Sequence, residues 1–316
     1  MYHDMATRGD EQPVHVLFFI LLLAAAACVT PSPAQRAISL AHLHREGEGV
    51  ALLRAAIAKH PDDVDSRRVL VRLLGLIGDL TAAKKEAEDL QKRLPEGDPS
   101  GWLELGHAYE LSHKFEEALA AYDTASSAAP GSPVGPLEGG TRCARWGEVA
   151  EARPRLEEAV KRGANDAEVW HTLGFVRLQQ KDFDAATEAY KKGLEADRSQ
   201  PQNWLGLASV AVVQGDAKGA LDAYTAILEL RPNFGVAELG RAWALAKLNR
   251  PKEALAALDH AEALGAPKTN IAKQRAALAS PRLTATPTAT PTRTDAPPSD
   301  PVPPTENPDS TTPPLP

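Results

Sequence analysis

Side chains of matched size recur every 34 residues through the middle of this chain, and that period restricts what it can fold into. One column reads Trp102, Pro136, Trp170, Trp204, Glu238, and the next reads Leu105, Gly139, Leu173, Leu207, Arg241. Beside them runs a column of small residues: Gly106, Gly140, Gly174, Ala208 and Ala242. Later in each unit come Ala118, Ala152, Ala186, Ala220 and Ala254, then Tyr122, Leu156, Tyr190, Tyr224 and Leu258. The columns end with Ala125, Ala159, Gly193, Ile227 and Ala261, and Pro130 and Pro232 close two of the units. A fixed period of this length points to a stack of small structural units.

Within one unit, Trp102, Leu105 and Tyr109 fall on one stripe of a helix, and Tyr122 and Ala125 supply the answering stripe of a second helix. The small residues at 106 and 118 would let the two helices approach closely. A terminal proline turns the chain into the next unit. One such hairpin cannot bury its own apolar stripe, whereas stacked hairpins share a continuous core. Alanine and leucine dominate a chain with only 5% aromatic residues, which favours helix throughout.

These columns resemble the tetratricopeptide-repeat (TPR) signature of Trp, Leu-Gly, Tyr, Ala, aromatic, Ala and Pro at set places. The resemblance implies an all-α solenoid of antiparallel helix pairs, with five units over residues 99–268. Fainter traces at Leu53, Ala56, Pro61, Leu70, Leu74, Ala83, Ala87, Leu90 and Pro95 predict two degenerate units over 37–98. Residues 269–280, with Ile271 and Leu278, are expected to form a helix covering the last unit, since solenoid ends need a cap.

Both ends differ from the middle. Residues Val16 to Ala27 form an uncharged apolar run, shorter than the roughly 20 residues a spanning helix needs and suited to a secretory signal peptide over 1–27. Ala25-Ala26-Ala27-Cys28 resembles the lipobox of bacterial lipoproteins, although the third residue before the cysteine is alanine where leucine is usual. The resemblance implies lipidation of Cys28, a tether over 28–36, and attachment to a membrane by lipid anchor rather than by a spanning helix. Val29 after the cysteine leans toward the outer membrane, facing the periplasm. Cleavage after Ala34, giving a secreted or periplasmic protein, is the alternative. From 281 to 316 proline and threonine dominate with no apolar period, so a disordered tail with polyproline bias is expected.

Nothing in the chain points to catalysis, a metal or a cofactor. No HExxH, P-loop, GxSxG or GxGxxG motif is present. Cys143 stands in a packing column and is expected to be buried and inert. A net charge of −7 argues against a nucleic-acid partner.

In TPR proteins the first helix of each pair lines a concave groove that binds partners. Carried over by column, the resemblance places Leu103 and His107, then Leu137, Thr141 and Arg145, then His171, Phe175 and Leu178, then Leu205 and Ser209, and finally Leu239 and Trp243 in that groove. Trp243 is balanced between groove and packing. The set is mostly apolar, so the expected partner is a protein presenting an apolar peptide segment or an amphipathic helix. The expected function is a non-catalytic scaffold or adaptor of the bacterial cell envelope, acting in assembly of an envelope complex. The rival readings are an accessory subunit of an envelope enzyme complex and a secreted structural spacer.

Overall fold

A computed structural model of the chain describes residues 31–279. The expected signal peptide, Cys28 and the Pro/Thr-rich segment lie outside the described residues. Among these residues the chain is all-α, with fifteen helices and no strand. In order they are α1 (Pro33–His42), α2 (Glu46–Lys59), α3 (Val64–Leu76), α4 (Leu80–Gln91) and α5 (Ser100–Leu111). Then come α6 (Phe115–Ala128), α7 (Val134–Trp146), α8 (Val149–Lys161), α9 (Ala167–Gln179) and α10 (Phe183–Ala196). The last five are α11 (Pro201–Gln214), α12 (Ala217–Leu230), α13 (Gly235–Lys247), α14 (Pro251–Ala263) and α15 (Lys268–Ala279). They read as seven hairpins followed by one single helix.

By contact the described residues divide into two units. One comprises residues 31–94 with 107–114, the other residues 95–106 with 115–279. In the first, α1 begins at Pro33, three residues before the end of the expected tether. Ser32 is the reason: its hydroxyl accepts from the Gln35 amide at 3.2 Å, and Gln35 Oε1 accepts from the Ser32 amide at 2.9 Å. This reciprocal cap, with proline in the first turn, starts the helix early. Leu53, Leu70, Leu73, Leu74, Ala83, Ala87 and Leu90 form this unit's core.

In the second unit the recurring columns become the core. Ala118, Ala152, Ala186, Ala220 and Ala254 are all fully buried, as are Tyr122, Leu156 and Leu258. Gly174 makes room for a ring rather than for a neighbouring backbone. A Cβ there would lie 2.7 Å from Tyr190 Cε1, and a Cβ at Gly206 would strike the same ring. Tyr190 therefore wedges between α9 of its own hairpin and α11 of the next. The expected close backbone approach holds at Gly140, where a Cβ would lie 3.0 Å from the Leu156 amide nitrogen, whereas at Gly106 and Gly174 the space is taken by a tyrosine ring.

Arginines tie successive hairpins together on the second-helix side. Arg155 of α8 reaches Asp123 of α6 through two hydrogen bonds of 3.0 and 2.8 Å. Arg162 donates to the carbonyls of Ser126 and Ser132 at 3.1 and 3.3 Å. The first of these bonds satisfies a carbonyl left open where α6 ends, and the second one in the connection to α7.

Each hairpin turn is built the same way. The residues with positive φ are His44, Gly78, His113, Gly147, Lys181, Gly215 and Asn249, one per hairpin. In each case the next amide donates to a carbonyl five residues back, as in Asp182 to Arg177 and Asp216 to Ala211, at 2.9 and 2.8 Å. That bond closes the first helix and aims the chain into the second.

Candidate partner-binding face

The candidate residues of the second unit lie on α5, α7, α9, α11 and α13, the first helices of their hairpins. The 34-residue offset places Leu103, Leu137, His171, Leu205 and Leu239 in one column. Thr141, Phe175, Ser209 and Trp243 form a second column, in which His107 stands in the first unit. Leu103, Leu137, His171 and Leu205 are half-buried, and so are His107, Thr141, Phe175, Ser209 and Trp243. The same helices bury Leu105, Leu173, Ala208 and Ala242 nearly completely. One stripe of each helix is thus core and the adjoining stripe is partly open.

The open stripe is not detached from the core. Leu137 and Phe175 pack against the cluster around Cys143, Leu156, Trp170 and Leu173. Leu178 packs against Ala186, Tyr190 and Val210, and Leu205 against Ile227, Leu228 and Ala237. Trp243 packs against Ala211, Ala220 and Ala244, and Lys247 stands 5.8 Å from its ring centroid. Trp243 therefore contributes to packing between hairpins while part of its ring stays open. Ser209 turns its hydroxyl back to the Leu205 carbonyl at 2.8 Å, so it offers a small, internally satisfied surface.

Two candidates fall outside this pattern. Leu239 is core, 8% exposed, in a cluster with Leu245, Leu258 and Ile271. The cause is α15: Ile271 shares that core, and Gln274 Nε2 donates to the Leu239 carbonyl at 3.2 Å. Arg145 is exposed, while its neighbour Ala144 holds the column of Leu178 and is buried.

Electrostatics on this face are weak. His171 lies 6.0 Å from the Tyr190 ring, and burial holds its imidazole below the ordinary value, which favours the neutral form. Cys143 is a buried free thiol, and burial pushes it up to about 11, so it is protonated and unreactive at neutral pH. Among the described residues no group of three or more His, Cys, Asp or Glu is arranged to hold a metal ion. No described helix is long and apolar enough to cross a membrane.

Sequence reasoning missed the turn column. Its occupants are His, Gly, Lys and Asn, so no single residue type recurs. The signal that could have exposed it is positional: three glycines, Gly78, Gly147 and Gly215, stand at the same place in different repeats.

Family models described as tetratricopeptide repeat match residues 147–210 and 205–269. The general transcriptional corepressor ssn6 of Schizosaccharomyces pombe is 26% identical over 162 residues, covering 48% of this chain. The chain spans only 15% of that relative's length. Two solved structures are similar in fold. The C-terminal part of a TPR repeat-containing protein from Cytophaga hutchinsonii has a TM-score of 0.58 at 17% identity, over 76% of this chain and 98% of that one. YrrB, described as a TPR protein with an unusual peptide-binding site, has a TM-score of 0.53 at 18% identity, over 62% and 97%.

Proposed function

Starting from the fact that this chain is a tetratricopeptide-repeat protein, we propose that it holds a partner's apolar segment, extended or helical, against its first helices. The repeats make it a protein-interaction scaffold. The observation that carries the finer reading is the half-open stripe. Leu137 and Leu205 in one column, and Phe175 and Trp243 in the adjoining one, keep apolar surface partly exposed. A partner laying side chains along that stripe would remove apolar area from water, worth about 25 cal/mol per Å². Thr141 and Ser209 between them are small and leave space for such side chains. In this reading the chain itself performs no catalysis.

The experiment is an affinity capture with the full chain. Phe175 and Leu205 also pack into the core, so the informative variants are Thr141→Arg and Ser209→Arg, which add bulk and charge to the stripe without removing core atoms. Both should lose the captured partner while their circular-dichroism melts match the parent. Undiminished capture by both variants would remove the proposal.

We further propose a lipid anchor at Cys28 and a place in the bacterial envelope, on the outer membrane facing the periplasm. The apolar run Val16–Ala27 ending in Ala-Ala-Ala-Cys supports this. Two acyl chains hold a protein on a bilayer stably where one does so marginally. Labelled fatty acid should enter the parent and not Cys28→Ser; equal labelling would count against the anchor.

A further inference from the structure

Two aromatic side chains of the second unit meet at hairpin ends where the repeat does not call for them. Phe115 opens α6 and Trp146 closes α7, and their ring centroids lie 4.8 Å apart with the planes tilted by 45°. The 34-residue offset puts Val149 with Gln180, Phe183 with Gln214, and Ala217 with Leu248 at the same two places. Those later places carry no aromatic pair, so stacking of the hairpins does not depend on one. Phe115 is 44% exposed and Trp146 is half-buried, so both rings keep surface in water.

Beside the pair stands a cation with nothing to bind. Arg145 is exposed and, among the described residues, pairs with no carboxylate. Arg142, one turn earlier, is held by Glu138 at 3.1 Å. The places equivalent to Arg145 hold Gln179, Val213 and Lys247. A tilted aromatic pair flanked by an unpaired guanidinium suits prolines flanked by a carboxylate. Proline rings lie against aromatic faces, and a polyproline II strand has little conformational freedom left to lose on docking.

This chain carries such a segment. In Asp300-Pro301-Val302-Pro303-Pro304-Thr305-Glu306 carboxylates stand on both sides of three prolines. With three residues per polyproline II turn, Pro301 and Pro304 fall on one edge. The reach is sufficient. From Ala279, the last residue of α15, to Pro301 the chain can span up to about 70 Å at ~3.1 Å per residue. From α7 to α15 there are four steps between first helices, about 40 Å at the usual ~8–10 Å between packed helices.

We infer that residues 300–306 of this chain dock on the Phe115–Trp146 pair. Pro301 and Pro304 lie against the rings, and a flanking carboxylate, Asp300 or Glu306 according to strand direction, meets Arg145. The site uses none of the residues of the half-open stripe, and it stands or falls separately from that proposal.

The test compares the full chain with a variant carrying Pro301→Ser, Pro303→Ser and Pro304→Ser, followed by indole and amide chemical shifts. The three substitutions should move the signals of Arg145 and Trp146 and leave those of Trp204 and Trp243 in place. A peptide of residues 299–307, added to the variant, should restore the parent's positions saturably. Phe115→Ser or Arg145→Glu, introduced into the variant, should weaken the peptide by about fivefold or more. Both positions are exposed, so the melts should match the parent's. Coincident spectra of parent and variant, no saturable response to the peptide, or an affinity unmoved by both substitutions would overturn the site. So would a parent shift that fades on dilution, which marks a second copy's segment as the occupant.

Discussion

His171 holds a position where its neighbours in the same column carry leucine, and burial makes that exchange consequential. The folded protein resists protonating this imidazole, whose ordinary value is 6.5. As pH falls through that value the unfolded chain takes up the proton first, so the folded state loses stability on acidification. His171→Gln should therefore flatten the fall in denaturant midpoint between pH 7 and 5, and a parallel slope in both proteins would refute the assignment. The glycine at 174 belongs to the same neighbourhood. Gly174 leaves space that the Tyr190 ring fills, and burial pushes the Tyr190 phenol above its usual range.

At the scale of the element, the hairpin turn is the repeated device. One residue per turn adopts positive φ, near 57° at His113, 61° at Lys181 and 56° at Asn249, and 74° at Gly215. A side chain in this region clashes with the following carbonyl at a cost of roughly 1–2 kcal/mol, which glycine avoids. Glycine gives part of that back through its larger unfolded-state freedom. Lys181 is exposed and its side chain bonds to none of the described residues, so Lys181→Gly should raise unfolding free energy by about 0.5–1 kcal/mol. A denaturant titration that finds no gain would mean the turn is relaxed around lysine. The carbonyl-closing bond from Asp182 to Arg177, at 2.9 Å, is common to glycine and non-glycine turns alike. Backbone geometry, rather than residue type, is what recurs there.

For the molecule as a whole, each hairpin depends on its neighbours for burial, and the last one depends on α15. Ile271 is 2% exposed and joins Leu239, Leu258 and Ala261 in one cluster. Ending the chain after Ala266 removes that cover, whereas ending it after Ala279 leaves it in place. Burying a side chain such as isoleucine is worth about 1.5–3 kcal/mol. The shorter truncation should lower the protection of α13 and α14 against hydrogen exchange and leave α9 and α10 nearly unchanged, because coupling in a repeat array runs between nearest neighbours. Uniform loss across all four helices would contradict that picture.

The period alone determined the helix pairs and most of their core, because a column that must be small or bulky in every repeat leaves its mark on residue type. Ala118 to Ala254 and Tyr122 to Leu258 were legible for that reason. Tertiary structure decided three things that no column carries. The turn residue was hidden because left-handed backbone is compatible with several side chains. Leu239 became core because α15 covers it, a contact with a helix outside the repeat pattern. Glu238 and Arg241 put charge into two columns that are otherwise uncharged, and only the packing of Glu238 against Arg241 and His260 gave that charge a place. A period reports what neighbouring repeats demand in common, and is silent where one repeat meets something different.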